Sequence, residues 1–118
     1  MDKKDVPTGR GISIQQPFVE QILQGKKNYE YRSRPTKIRG RVYLYASLTP
    51  GHISRWKGTG FEPGELATGL IVGSVEIIDC KWFPKLNCYG YELANPKRYK
   101  APIKPENRAQ PCWFYPFV

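Results

Sequence analysis

The sequence predicts a mainly β domain of the α+β kind: a small closed or half-closed barrel of five to six short strands, with one short helix after the first strand and further short turns. Three observations carry this. Eleven prolines and eleven glycines in 118 residues divide the chain into short elements and disfavour long helices. Gly69 to Cys80 is a nearly continuous apolar run containing Leu70-Ile71-Val72 and Ile77-Ile78, as a strand buried on both faces requires. Arg39 to Ser47 alternates with a period of two, which sets Gly40, Val42, Leu44 and Ala46 on one face and Arg39, Arg41, Tyr43, Tyr45 and Ser47 on the other.

The remaining elements follow in chain order. Residues 1 to 8 are polar and charged, a flexible tail ahead of a single domain spanning 9–118. Arg10 to Ile14 reads as the first strand, and Gln15-Gln16-Pro17 turns it into a helix from Pro17 to about Gln24, with proline at the first helical position. Phe18, Val19, Ile22 and Leu23 form its apolar stripe, Glu20, Gln21 and Gln24 face out, and Gly25 caps its end. Asn28 to Arg32 alternates so that Glu30 and Arg32 share one strand face and Tyr29 and Tyr31 the other. Lys27 can act with Glu30 only if the turn after Gly25 redirects it. Leu48 to Thr68 is a long irregular connection, a flap or a pair of short turns. Tyr89 to Ala94 is a strand stopped by Asn95-Pro96, the basic segment to Pro111 is a loop, and Trp113, Tyr115 and Phe117 alternate in a last strand.

A chain of 118 residues buries roughly two-thirds of its unfolded surface without staples, and 40% hydrophobic content argues against disorder. No stretch approaches the roughly 20 apolar residues that span a bilayer, and Met1-Asp2-Lys3-Lys4-Asp5 leads to Pro7 rather than to an apolar signal core. The expectation is a cytoplasmic protein with no membrane partner, and a monomer. Cys80, Cys88 and Cys112 are odd in number and lack C-x-x-C spacing, which suggests reduced thiols. The single histidine, His52, leaves histidine-dependent nucleophilic catalysis to one loop residue.

The net charge of +9 is concentrated. Gly25 to Arg41 holds seven cations against Glu30, and Lys97 to Arg108 holds five against Glu106. The two segments are expected to converge around a basic cleft between helix and barrel. Its floor is Lys27, Glu30 and Arg32, with Lys26, Arg34, Arg39, Arg41, Tyr43, Tyr45 and Ser47 beside them. Lys27 is a phosphate partner if charged, or a base if burial and neighbouring cations lower its pKa from about 10.4; it is equally an exposed lysine after a helix cap. Glu30 with Arg32 either orients a ligand or neutralises a cleft wall. Cations interleaved with aromatic rings are what single-stranded nucleic acid needs, and five phosphate contacts give a logarithmic salt slope near −3.5, at about 0.7 per contact. Glu30, Glu76 and Asp79 are the oxygen donors open to a metal, yet nothing in their spacing converges them. No cofactor is expected, a divalent metal entering only if the site is a nuclease.

Ser13-Ile14-Gln15-Gln16-Pro17-Phe18, then Gly25-x-Lys27-x-x-Glu30-x-Arg32, Thr36, Arg39-Gly40 and Tyr45-Ala46-Ser47 resemble the activating signal cointegrator homology (ASCH) domain. Gly69-x-Ile71-Val72-Gly73-x-Val75-Glu76 and Trp113-Phe114 sit where that family has its central and last strands. The resemblance covers roughly residues 10 to 115. It implies a PUA-like β-barrel that binds RNA or a nucleotide, some members of the family being implicated as ribonucleases and others as amidohydrolases of acetylated cytidine. Phe18 stands where the family often has tryptophan and Tyr45 where it often has histidine. Glu30 stands where the amidohydrolase pattern has threonine, which counts against that activity here. An RNA-binding domain, an enzyme in the same cleft with Lys27 and Glu30 as its catalytic groups, and a protein-interaction module with a basic face are the competing readings.

Overall fold

The computed structural model describes residues 7–117, so most of the expected N-terminal tail lies outside the described residues. Thr8 is already tied down, its amide donating to the Arg41 carbonyl at 2.8 Å. The elements are β1 (Gly11–Ile14), α1 (Phe18–Leu23), β2 (Tyr29–Arg32), β3 (Gly40–Ala46), a 3-10 turn (Ile53–Trp56), β4 (Leu70–Phe83), β5 (Cys88–Ile103) and β6 (Trp113–Phe114). Strand accounts for 42% and helix for 9%, in keeping with the expected class. One six-stranded sheet runs β2-β5-β4-β3-β1-β6. β1 and β3 are parallel and the other pairs antiparallel. β2 and β6 do not pair, so the sheet is barrel-like without closing.

The core lies on both sides of β3. Val42, Leu44 and Ala46 join Ile12, Ile14, Val19, Ile22, Val75 and Ile77 in the larger cluster, over which α1 packs. The opposite face of β3 is a second core and not the solvated cation–aromatic surface the alternation suggests. There Tyr45 packs with Ile71 and Phe114, and Tyr43, Tyr99 and Phe117 surround them. The coiling sheet brings the far end of β5 and the chain around β6 over that face. Arg41 is sealed in as well: its side chain is 0% exposed, and its guanidinium donates to Ser74 Oγ (2.9 Å), the Asn95 carbonyl (2.9 Å) and Glu76 Oε1 (3.3 Å).

Three features differ from the sequence reading. Asn95-Pro96 does not end a strand; β5 continues to Ile103. β2 pairs only with Tyr89–Glu92 of β5, so Pro96 lies beyond that pairing, where its missing N–H costs little. Asn95 takes φ +51°, the register with β4 slips between Ser74 and Glu76, and the result is a β-bulge. Secondly, Glu20 is buried, because Arg98 of β5 closes on it with a two-pronged pair at 2.9 and 2.7 Å. The stretch Lys97 to Ile103, expected as loop, is thus strand docked on α1. Thirdly, the last strand is only Trp113–Phe114. Gly73 sits where β4 passes closest to β5 and α1; a Cβ there would overlap the Lys97 carbonyl oxygen and lie 2.9 Å from Leu23 Cδ2.

Tyr91 anchors the start of the segment after β2. It is 2% exposed, stacks on Trp113 with ring centroids 6.2 Å apart, and donates its hydroxyl proton to the Arg34 carbonyl at 2.7 Å. Burial chiefly, with the Cys112 thiol adding to it, pushes its pKa up to about 12. The folded state therefore holds this proton over a range in which the unfolded chain, titrating near 10, has lost it. Stability is fully present below pH 10 and declines as pH rises through about 12. Urea unfolding at pH 9, 10 and 11 should show that decline, and Tyr91→Phe should make it shallower. Tyr45, Tyr99 and Cys112, whose pKa values burial also raises, add to the decline.

Candidate functional site

The end of α1 sets the first functional side chain. Gly25 adopts φ +77°, a left-handed turn open to glycine, and the amides of Lys26 and Lys27 then both donate to the Gln21 carbonyl, at 2.9 and 3.1 Å. This is the redirection that Lys27 needed. Its ammonium lies 3.7 Å from Glu30 Oε1 and between two rings, 5.3 Å from the Phe18 centroid and 4.9 Å from that of Tyr31. β2 then places Glu30 and Arg32 two residues apart on one face. Arg32 Nε donates to Glu30 Oε2 at 2.8 Å, and its Nη2 reaches the Ser13 carbonyl of β1 at 2.7 Å. Glu30 is buried, and the two cations divide its oxygens between them.

Burial lowers the Lys27 pKa from 10.5; Glu30 pulls it back up, and Arg32 adds to the lowering. The charged lysine is stabilised by one carboxylate and two ring faces but desolvated by the same packing.

A cavity of about 570 Å³ opens over this pair. Glu30 and Arg32 form its floor; Ser13 and Gln15 from the end of β1 and Phe18 of α1 make one wall; Tyr45, Ser47, Leu48 and Thr49 make another. The third wall is Ala109-Gln110-Pro111-Cys112, clipped to β1 by Ser13, whose Oγ donates to the Gln110 carbonyl and whose amide donates to the Cys112 carbonyl, both at 2.8 Å. Burial raises the Cys112 pKa, with Arg32 opposing and Glu30 reinforcing. The charged lining groups, one acid and one base, cancel.

A second hollow of about 360 Å³ adjoins the first and shares Phe18 with it; Gln21, Lys26, Lys27, Asn28, Tyr29 and Tyr31 line the rest. Of the residues the sequence grouped together, Glu30, Arg32, Tyr45 and Ser47 therefore line the cavity, while Lys26 and Lys27 line the neighbouring hollow. The other four lie elsewhere. Arg41 is buried in the sheet, and Tyr43 packs edge-on against Phe117. Arg34 is exposed beyond β2. Arg39 bonds the Thr36 and Ile38 carbonyls and stands 3.8 Å from Asp79. The second basic segment does not converge on the cavity either: Arg98 is engaged by Glu20, and Arg108 lines a separate hollow with Arg10. The basic cleft of the sequence reading is thus a neutral cavity beside a positive hollow.

Gln15, Leu48, Thr49 and the 109–112 wall were not among the expected site residues. Gln15 stood inside a quoted motif; the wall carries neither charge nor periodicity to mark it.

Residues 12–110 match the ASCH domain, most of the chain and all of the cavity floor. The chain belongs to the ASCH family. ASCH domains are generally RNA-binding and PUA-like, which agrees with the barrel-like sheet and with the helix after β1. No curated protein sequence matches the chain. Among the described residues no group of three or more His, Cys, Asp or Glu side chains is placed to hold a metal: Glu30 is taken up by Lys27 and Arg32, Glu76 by Arg41 and Asn95, and Asp79 stands beside Arg39. No helix among them is long and apolar enough to cross a membrane.

Proposed function

We propose that this ASCH domain binds single-stranded RNA by taking one nucleotide into the cavity above Glu30 and Arg32. The observation that carries the reading is a hollow of about 570 Å³ that combines a fixed carboxylate–guanidinium pair with amide, hydroxyl and ring side chains. Ligand pockets run from about 300 to 1,000 Å³. Gln15, Ser13, Ser47 and Thr49 offer donors and acceptors suited to base edges. Phe18 offers ring surface, and Tyr45, buried in the wall, adds little of its own. The balanced charge suits a base more than a phosphate. Cations for the flanking phosphates are then Arg32 at the floor and Lys26 and Lys27 next door.

On this reading the expected salt dependence is shallower than five contacts would give. Two or three phosphate contacts give a logarithmic slope between about −1.4 and −2.1, at about 0.7 each. A fluorescent hexaribonucleotide of mixed sequence, titrated at 20 to 300 mM salt, should bind in this way. A slope near −3.5 would mean that the strand follows the exposed basic surface around Arg34, Lys37 and Arg39, and absence of binding at the lowest salt removes the reading. The enzyme alternative draws on one observation, a lysine whose pKa burial lowers against the pull of the carboxylate beside it; a lowered pKa is the direction general-base chemistry needs. RNA cleavage in the same samples, lost in Lys27→Ala and kept in Lys26→Ala, would establish it.

A further inference from the structure

We infer that the hollow beside the cavity is a second nucleotide subsite, in which Tyr29 and Tyr31 carry a base and Lys26 and Lys27 hold its phosphate. The inference rests on the RNA reading and names where the strand goes when it leaves the cavity.

Tyr29 and Tyr31 project from the same side of β2, an edge strand. Their rings lie side by side, centroids 6.1 Å apart and planes within 22°, and Phe83 of β4 props both edge-on at 5.2 and 5.7 Å. This fixes a stacked pair of rings with Lys27 Nζ 4.9 Å over Tyr31 and Lys81 Nζ 5.9 Å over Tyr29, and Tyr31 remains 42% exposed. A ring left this exposed beside a cation offers a base a surface to stack on. Base–aromatic stacking tolerates any sequence, because every base has a π-face.

The charge distinguishes this hollow from its neighbour. Lys26 and Lys27 line it and no carboxylate does. Lys26 is exposed and has no acidic partner among the described residues, while nearby Lys81 pairs with Glu92 at 2.9 Å and also reaches the Tyr29 hydroxyl at 3.5 Å. A positive hollow lined by rings fits an anion bearing a planar group, and a nucleotide is that. Phe18 lines both hollows, so consecutive nucleotides of one strand can occupy the two. The charge complement and this continuity favour RNA over an acidic protein segment, which would have no use for the adjoining neutral cavity.

Two probes separate the subsites: the fluorescent hexaribonucleotide, and an equimolar mixture of the four nucleoside 5′-monophosphates used as competitor. Tyr31→Ala should weaken hexamer binding about tenfold and monophosphate competition by less than threefold, Tyr31→Phe should retain most hexamer affinity, and Lys26→Gln should shallow the salt slope by about 0.7. Trp82→Ala, a loss of an aromatic ring 49% exposed on the other face of β4, should change nothing. Hexamer affinity that survives Tyr31→Ala while Arg32→Ala abolishes it overturns the subsite and leaves the cavity reading standing. Equal losses on both probes would make Tyr31 a support for Lys27 rather than a binding surface, and an equal loss in Trp82→Ala would make the effect unspecific; either overturns the subsite. If the wild-type protein binds neither probe, both readings fall.

Discussion

Arg41→Ala is expected to lower the stability of the fold by about 3–4 kcal/mol, and with it the Tm by roughly 12 °C or more. The guanidinium is wholly enclosed, and Ser74 and Glu76 of β4 and Asn95 at the bulge in β5 accept from it. Alanine would leave a cavity and would take the donor from the Asn95 carbonyl, an orphaned group costing about 1–3 kcal/mol, while Ser74 would keep its bond to Tyr99. Glu76 retains some contact with water, which keeps the figure from being larger. Arg41→Met, which refills the volume but restores no hydrogen bond, should recover about half of the loss. Urea unfolding of the three proteins at pH 7 checks this, and a loss below about 1 kcal/mol would mean that the side chain lies in solvent. RNA affinity at 20 °C should stay within twofold, because the residue lies outside both hollows.

The second large effect is on binding. Arg32→Ala should weaken the hexaribonucleotide by about 30- to 150-fold, equivalent to about 2–3 kcal/mol for a lost charge-assisted hydrogen bond. Arg39→Ala should stay within twofold. The two arginines belong to one basic stretch of sequence, yet the first lies on the cavity floor while the second clasps its own backbone near Asp79. Arg32→Lys should not rescue, since an ammonium cannot reach Glu30 and the Ser13 carbonyl from one planar fork. Equal losses in Arg32→Ala and Arg39→Ala would show that affinity follows net charge and not the cavity.

That contrast indicates how much could be read in advance. Local periodicity was enough for α1, for β3 and β4, and for the shared face of Glu30 and Arg32, because alternation and the cap at Gly25 are written in neighbouring residues. The same alternation misled at Arg41 and Tyr43. Whether the second face of a strand meets water depends on Ile71, Tyr99 and Phe114, which lie distant in the chain. Asn95-Pro96 reads as a stop by its own chemistry, but the cost of a proline is set by whether a neighbouring strand wants its missing proton, and here β2 has already ended. The 109–112 wall was illegible for a plainer reason: it contributes shape and backbone, positioned by two bonds to Ser13, and no side-chain pattern announces it.

The division of Glu30 between Arg32 on one oxygen and Lys27 on the other has a consequence for how a guest is received. When an incoming molecule draws the guanidinium toward itself, the acid behind it still has a counterion at its back and is never marooned in a dry interior. The arginine can thus be lent out and returned at small cost.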